Sequence, residues 1–124
     1  QKRIVRIISG VPPRTHTINL FKRLCILKVD EVYQYSISLF MYKYYNSMFP
    51  DIFKMFILNQ EIHSRVTRQS GHYHIPLCRT SFSQRTIKFQ GSVIWNRLLS
   101  SIDVNCSIGI FKKRVKLYII ENPM

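Results

Sequence analysis

The sequence predicts a mainly α-helical fold, and three observations carry that prediction. Apolar residues recur at i, i+3 and i+4 positions from Val29 through Val32, Tyr33, Ile37, Phe40 and Met41 to Tyr44. A second helical stripe, Ile108, Phe111, Val115, Tyr118 and Ile119, lies near the end of the chain. Only 4 Gly and 5 Pro interrupt 124 residues, whereas 8 Phe, 7 Tyr and 1 Trp supply large core pieces. That length suits one compact unit, and 46% apolar residues are enough to give it a core.

Each element follows from local pattern. Ile4, Ile7 and Ile8 share one helical face, while Lys2, Arg3 and Arg6 take the other. Gly10 offers a left-handed cap, and Pro12-Pro13 stops continuation. Thr17 is placed to cap a short helix through Leu24, with Leu20, Phe21 and Leu24 inward. Lys28 or Asp30 opens the long central helix, which should span about 25 Å at 1.5 Å per residue. Tyr35, Leu39 and Tyr42 widen its apolar surface, so more than one side should be buried.

Asn46-Ser47 ends that helix, and Pro50 suits the first position of a short one through Leu58, with Phe53, Phe56 and Ile57 on its apolar side. Ser, Thr and Gly then make the middle of the chain loop-like. Tyr73–Ile75 and Thr86–Phe89 read as short strands, which allows a small β-hairpin between Tyr73 and Phe89. Gly91 breaks the pattern before a brief helix around Val93–Leu98, where Trp95 reads as a core anchor. Ser107 opens the last helix, which runs through Ile120.

Charge is the abnormal quantity: 19 Lys+Arg against 6 Asp+Glu give a formal net charge of +13. A polyanion is the partner such a chain attracts, nucleic acid first and an anionic membrane surface second. Residues 62–102 hold no Asp or Glu, but contain Arg65, Arg68, Arg79, Arg85, Lys88 and Arg97. Phosphates attract arginine and repel carboxylates, so the missing acids count as much as the arginines present. Arg65, Arg68, Arg79, Arg85 and Lys88 are the first candidates for phosphate contact, and Lys112, Lys113 and Lys116 the next. Tyr73 and His74, interleaved among them, are candidates for contact with bases or sugars. The competing reading is a solvated basic surface without a partner.

Other chemistry finds less support. His72-x-His74-x3-Cys78 has the ligand types for zinc, but it is a single cluster and ordinary loop residues are the favoured reading. No metal or other cofactor is expected in this chain. Nucleophilic catalysis lacks a Ser, His and Asp set, and two-metal phosphoryl transfer needs clustered carboxylates that six scattered acids do not build. Cys25, Cys78 and Cys106 are too widely spaced for a disulfide framework, which favours a reducing intracellular compartment, nuclear or cytoplasmic. No apolar run is long enough to span a membrane. Starting at Gln1-Lys2-Arg3, inside what reads as a helix, the chain is expected to be part of a longer protein.

Taken in order, the residues resemble the C-terminal region of reverse transcriptases encoded by non-LTR (LINE-type) retrotransposons, especially the jockey-like group. The resemblance begins with Gln1-Lys2-Arg3-x-x-Arg6-Ile7-Ile8-x-Gly10, then His16-Thr17-x-x-Leu20-Phe21-Lys22-x-Leu24 and Ile26-Leu27. It continues in Phe40-Met41-Tyr42-Lys43-Tyr44, Pro50, Thr67-Arg68-Gln69-Ser70 and Tyr73-x-x-Pro76-x-x-Arg79-Thr80. Arg85-x-Ile87-x-Phe89-x-Gly91, Trp95-Asn96-x-Leu98 and Phe111-Lys112-Lys113 complete it. Pro is usual in the family where Asn19, Ser92 and Leu99 stand here.

Such a position implies the helical thumb and the segment beyond it, following a palm whose Tyr-x-Asp-Asp motif binds Mg²⁺. That motif does not occur in this sequence, so the resemblance implies Mg²⁺ only in the parent's palm. It also implies RNA, DNA or an RNA–DNA hybrid as ligand, and the upstream palm and fingers as partners. Residues 1–60 are then a thumb-like helical segment, 61–92 a basic loop or hairpin segment, and 93–124 the C-terminal helices. The alternative is a free-standing basic helical adaptor or membrane-surface module without enzymatic activity.

Overall fold

The computed structural model describes residues 1–123, and they form a mainly α-helical bundle. Its helices are α1 (Lys2–Ile8), α2 (Ile18–Arg23), α3 (Val29–Tyr45), α4 (Asn59–Ile62), α5 (Ser81–Gln84), α6 (Ile87–Ser101) and α7 (Ile108–Glu121). A 3-10 turn, Asp51–Phe53, lies between α3 and α4. No strand occurs among the described residues; one antiparallel bridge joins Leu58 to Tyr73.

The centre is α3 packed on both α6 and α7. Met41, Trp95 and Phe111, one from each helix, are fully buried. Tyr42 stacks on Phe111 with ring centroids 4.3 Å apart, and its hydroxyl donates to the Cys106 carbonyl. Trp95 meets the other side of this arrangement, 6.0 Å from Phe111. Phe111, Val115 and Ile119 form the buried stripe of α7, as their spacing predicts. α3 starts at Lys28, whose backbone N–H donates to Glu31 Oε2 at 2.8 Å while its ammonium lies 3.2 Å from Glu31 Oε1. Burying that carboxylate is tolerable because both contacts satisfy it.

Three expectations are corrected. Thr86–Phe89 is not a strand: Thr86 is the N-cap of α6, so no hairpin forms with Tyr73–Ile75. Alternation over four residues is too short a signal to outweigh the helical stripe that continues through Ile94, Trp95 and Leu98. Gly91 does not break α6 but lies inside it, buried against α3. A Cβ there would sit 2.8 Å from Met41 Sδ and 3.0 Å from the Phe56 ring, so glycine is what lets α6 approach this closely.

Pro50 starts only the 3-10 turn, after which residues 54–58 run without helix and deliver Phe56 to the core. Phe56 lies 4.9 Å from the ring of Tyr44 and 5.6 Å from that of Tyr73. A helix through Leu58 would have pointed Phe53, Phe56 and Ile57 to one side, whereas Phe53 and Ile57 are exposed. In α1 the shared face of Ile4, Ile7 and Ile8 is exposed, and Val5 alone of that helix packs with Leu20 and Phe21 of α2.

Candidate nucleic-acid interface

The cationic residues predicted to meet phosphate are carried on three separate elements. Arg65 and Arg68 are exposed on a loop that leaves and rejoins the body at neighbouring points. Its base is closed by Asn59 N–H donating to the His72 carbonyl at 2.9 Å and His74 N–H donating to that of Ile57 at 2.7 Å. Gln60 N–H adds a bond to the Ser70 carbonyl at 3.1 Å, and Asn59 Nδ2 donates to the Gln69 carbonyl at 3.0 Å. A loop whose base is bonded this way can present arginines at its tip without a hydrophobic core of its own.

Asn96 of α6 anchors this base to the bundle. Its Oδ1 accepts the Tyr73 backbone N–H at 2.8 Å, and its Nδ2 donates to the Tyr73 carbonyl at 2.7 Å. One carboxamide thus satisfies both backbone groups of a buried residue, as a neighbouring strand would.

Arg79, Arg85 and Lys88 are exposed around the α5–α6 corner. Thr80 caps α5 by accepting Ser83 N–H at 3.2 Å. Gln84 Nε2 donates to the Cys78 carbonyl at 3.3 Å, and Gln90 Nε2 to the Gln84 carbonyl at 2.7 Å. Tyr33 Oη ties the corner to α3 by donating to the Arg85 carbonyl at 3.3 Å. These bonds use backbone carbonyls and leave the guanidinium and ammonium groups outward. On α7, Lys112 and Lys113 are exposed and Lys116 half-buried beside the core stripe.

The ion pairs among the described residues are Lys28–Glu31, Lys54–Asp51 and Arg114–Asp103. None of the eight predicted phosphate-contact residues takes part in one. Asp103 is held below the ordinary carboxylate range by the Asn105 backbone N–H, and then by a hydrogen bond from Arg114. That carboxylate therefore neutralises Arg114 and not the lysines beside it.

Tyr73 must be withdrawn as a base-stacking candidate. It is 7% exposed, its ring packs on Phe56 and Tyr44, and burial pushes its phenol up to about 12. Aromatic residues in an apolar cage are core before they are platforms. His74 is half-buried next to it. Among the described residues, no group of three or more His, Cys, Asp or Glu could hold a metal ion, and His72, His74 and Cys78 form no such set. No helix among them is long and apolar enough to cross a membrane.

The sequence did not reveal a cavity of about 440 Å³ bounded by the end of α3, the 3-10 turn, residues 54–58 and Glu61. Tyr45, Phe53 and Tyr73 line it together with Asp51, Lys54 and Glu61. The one available signal was that Asp51 and Glu61 bracket an aromatic-rich segment in a chain with few acids. Comparison with protein-family models, with curated proteins and with solved structures gave no match.

Proposed function

We propose that this chain binds nucleic acid, RNA, DNA or their hybrid, as the thumb-side C-terminal part of a non-LTR retrotransposon reverse transcriptase. One observation carries the binding reading: eight cationic side chains lie on three elements and, among the described residues, none of them takes part in an ion pair. Charge left unmatched by the fold is available to phosphate, and displacing the counterions condensed on the polymer drives association. The ordered series of motifs from Gln1 to Lys113 supports the polymerase parent. In that setting the palm would supply the carboxylates and Mg²⁺, and this region would hold template–primer or element RNA.

A salt titration tests it. If six phosphates are neutralised on a duplex, log K falls against log[salt] with a slope of about −5. Flat salt dependence overturns the reading. A second reading, a membrane-surface module, is favoured by α1, which exposes Ile4, Ile7 and Ile8 alongside Lys2 and Arg3. Preference for anionic phosphatidylserine vesicles over RNA at equal salt selects it.

A further inference from the structure

We propose that the cavity between the end of α3, the 3-10 turn and Glu61 receives an unpaired nucleobase bearing an exocyclic amino group, taken from the strand that the basic loop holds. The inference rests on the nucleic-acid reading above and assigns that surface a base-reading pocket.

Size and wall chemistry fit. About 440 Å³ admits a single base with room for its sugar edge. Phe53 and Tyr45 line the cavity while remaining 41% and 42% exposed, each with one ring neighbour, Phe49 at 5.7 Å from Phe53 and Trp95 at 5.4 Å from Tyr45. Aromatic faces of this kind stack on unpaired bases of any sequence. Location fits as well: Glu61 lies at the start of the loop that carries Arg65 four residues later.

Selectivity comes from the carboxylates. Asp51 is engaged by Lys54 at 3.1 Å, whereas Glu61 accepts the Leu58 N–H at 3.3 Å and, among the described residues, has no ammonium partner. An ionised carboxylate accepts hydrogen bonds and donates none. Cytosine, adenine and guanine each offer it an amino group, whereas uracil offers a single N3–H donor flanked by two carbonyl oxygens that a carboxylate disfavours. Lys54, also in the wall, is taken up by Asp51, which leaves Glu61 as the carboxylate that meets a donor there. Burial pushes the Tyr73 phenol up to about 12, so it adds no competing negative charge at neutral pH.

Fluorescence anisotropy with labelled decamers of cytidine and of uridine tests this, because the two bases share ring size and differ at one edge. The full chain should bind the cytidine decamer about fivefold or more tightly. Glu61→Gln keeps an acceptor for Leu58 N–H and gains a donor for uracil, so the preference should narrow or reverse. Phe53→Ala should weaken both decamers about tenfold through lost stacking. Arg65→Glu with Arg68→Glu should weaken both and flatten the salt slope while leaving the cytidine-to-uridine ratio unchanged. Equal affinity for the two decamers, or a ratio untouched by Glu61→Gln, overturns the pocket while the nucleic-acid reading stands. Saturable binding of tetramethylammonium with equal decamer affinities overturns it in favour of a cation cage. Failure of both decamers to bind overturns the nucleic-acid reading itself.

Discussion

The apolar cluster around Trp95 and Phe111 gathers thirteen buried side chains from α3, α6, α7 and the chain between them, whereas that of α1 and α2 holds Val5, Leu20 and Phe21 alone. The larger cluster joins residues far apart in sequence, from Leu27 to Ile119, so its helices fold as one unit. The smaller one joins two helices of 7 and 6 residues, each too short to persist by itself. Hydrogen bonds do there what packing does elsewhere. Gln1 Nε2 donates to the Leu27 carbonyl and Gln1 Oε1 accepts Val29 N–H, both at 3.2 Å, while Arg6 Nε donates to the Thr15 carbonyl at 2.9 Å. Such part-exposed bonds contribute about 1 kcal/mol each, so the N-terminal pair can open at little cost while the bundle remains closed.

Breaking the larger cluster should produce the largest effect. Phe111→Ala removes a ring that is fully buried, stacked on Tyr42 and tilted against Trp95. The lost transfer energy and the cavity together should cost about 3–5 kcal/mol, a large share of a small domain's stability. Urea unfolding followed by Trp95 fluorescence measures it. A loss below about 2 kcal/mol would mean that α7 is not integral to the cooperative core.

The same contrast separates what could be read in the sequence from what could not. Phe111, Val115 and Ile119 were legible because a long helix repeats its apolar side chains at a period the sequence displays directly. For α1 the helix was legible but its packing was not, because periodicity identifies an apolar face without saying that anything covers it; Ile4, Ile7 and Ile8 are exposed. Gly91 was misread because a glycine that ends a helix and one that admits a neighbouring helix look alike until the partner, Met41, is known. Of the candidate interface, exposure of the arginines and lysines follows from charge and loop composition. Tyr73 is bonded through its backbone to Asn96, 23 residues away, and its ring packs on Tyr44 and Phe56, and no local pattern announces these contacts.

Tyr73 also gives the second prediction, because it couples the loop base to the large cluster and leaves the small one untouched. Its pKa rises from 10.0 to about 12, chiefly through burial and then through Tyr44, Tyr45 and the Glu61 carboxylate. The folded state therefore holds this proton more tightly than the unfolded chain does. Its stabilising contribution is complete below pH 10 and is lost as pH rises from there toward 12. Urea unfolding at pH 8.5 and pH 11 should show about 1–2 kcal/mol more loss for the wild type than for Tyr73→Phe. Parallel losses in the two proteins would place the phenol in contact with water in the folded state.

The smallest global effect, and the sharpest test of the difference between the clusters, comes from Val5→Ala. Val5 is the one residue of α1 that is buried, at 3% exposure. Truncating it removes about 1–2 kcal/mol of burial, while alanine returns a few tenths of a kcal/mol in helix propensity. Because α1 is held mainly through α2 and the Gln1 clasp, that loss should appear as local opening. Amide hydrogen exchange should quicken at Ser9, bonded to the Val5 carbonyl, and at Phe21, bonded to that of Thr17. Protection at Val115 and Leu98, inside the large cluster, should stay at its wild-type level, and the urea midpoint should move by less than about 0.5 kcal/mol in equivalent stability. If protection at Leu98 falls in step with that at Ser9, the two clusters unfold together. The weak apolar contact of α1 and α2 would then be transmitted through Gln1 and Leu27 to the whole bundle, and the division between a packed core and a tethered helix pair would not hold.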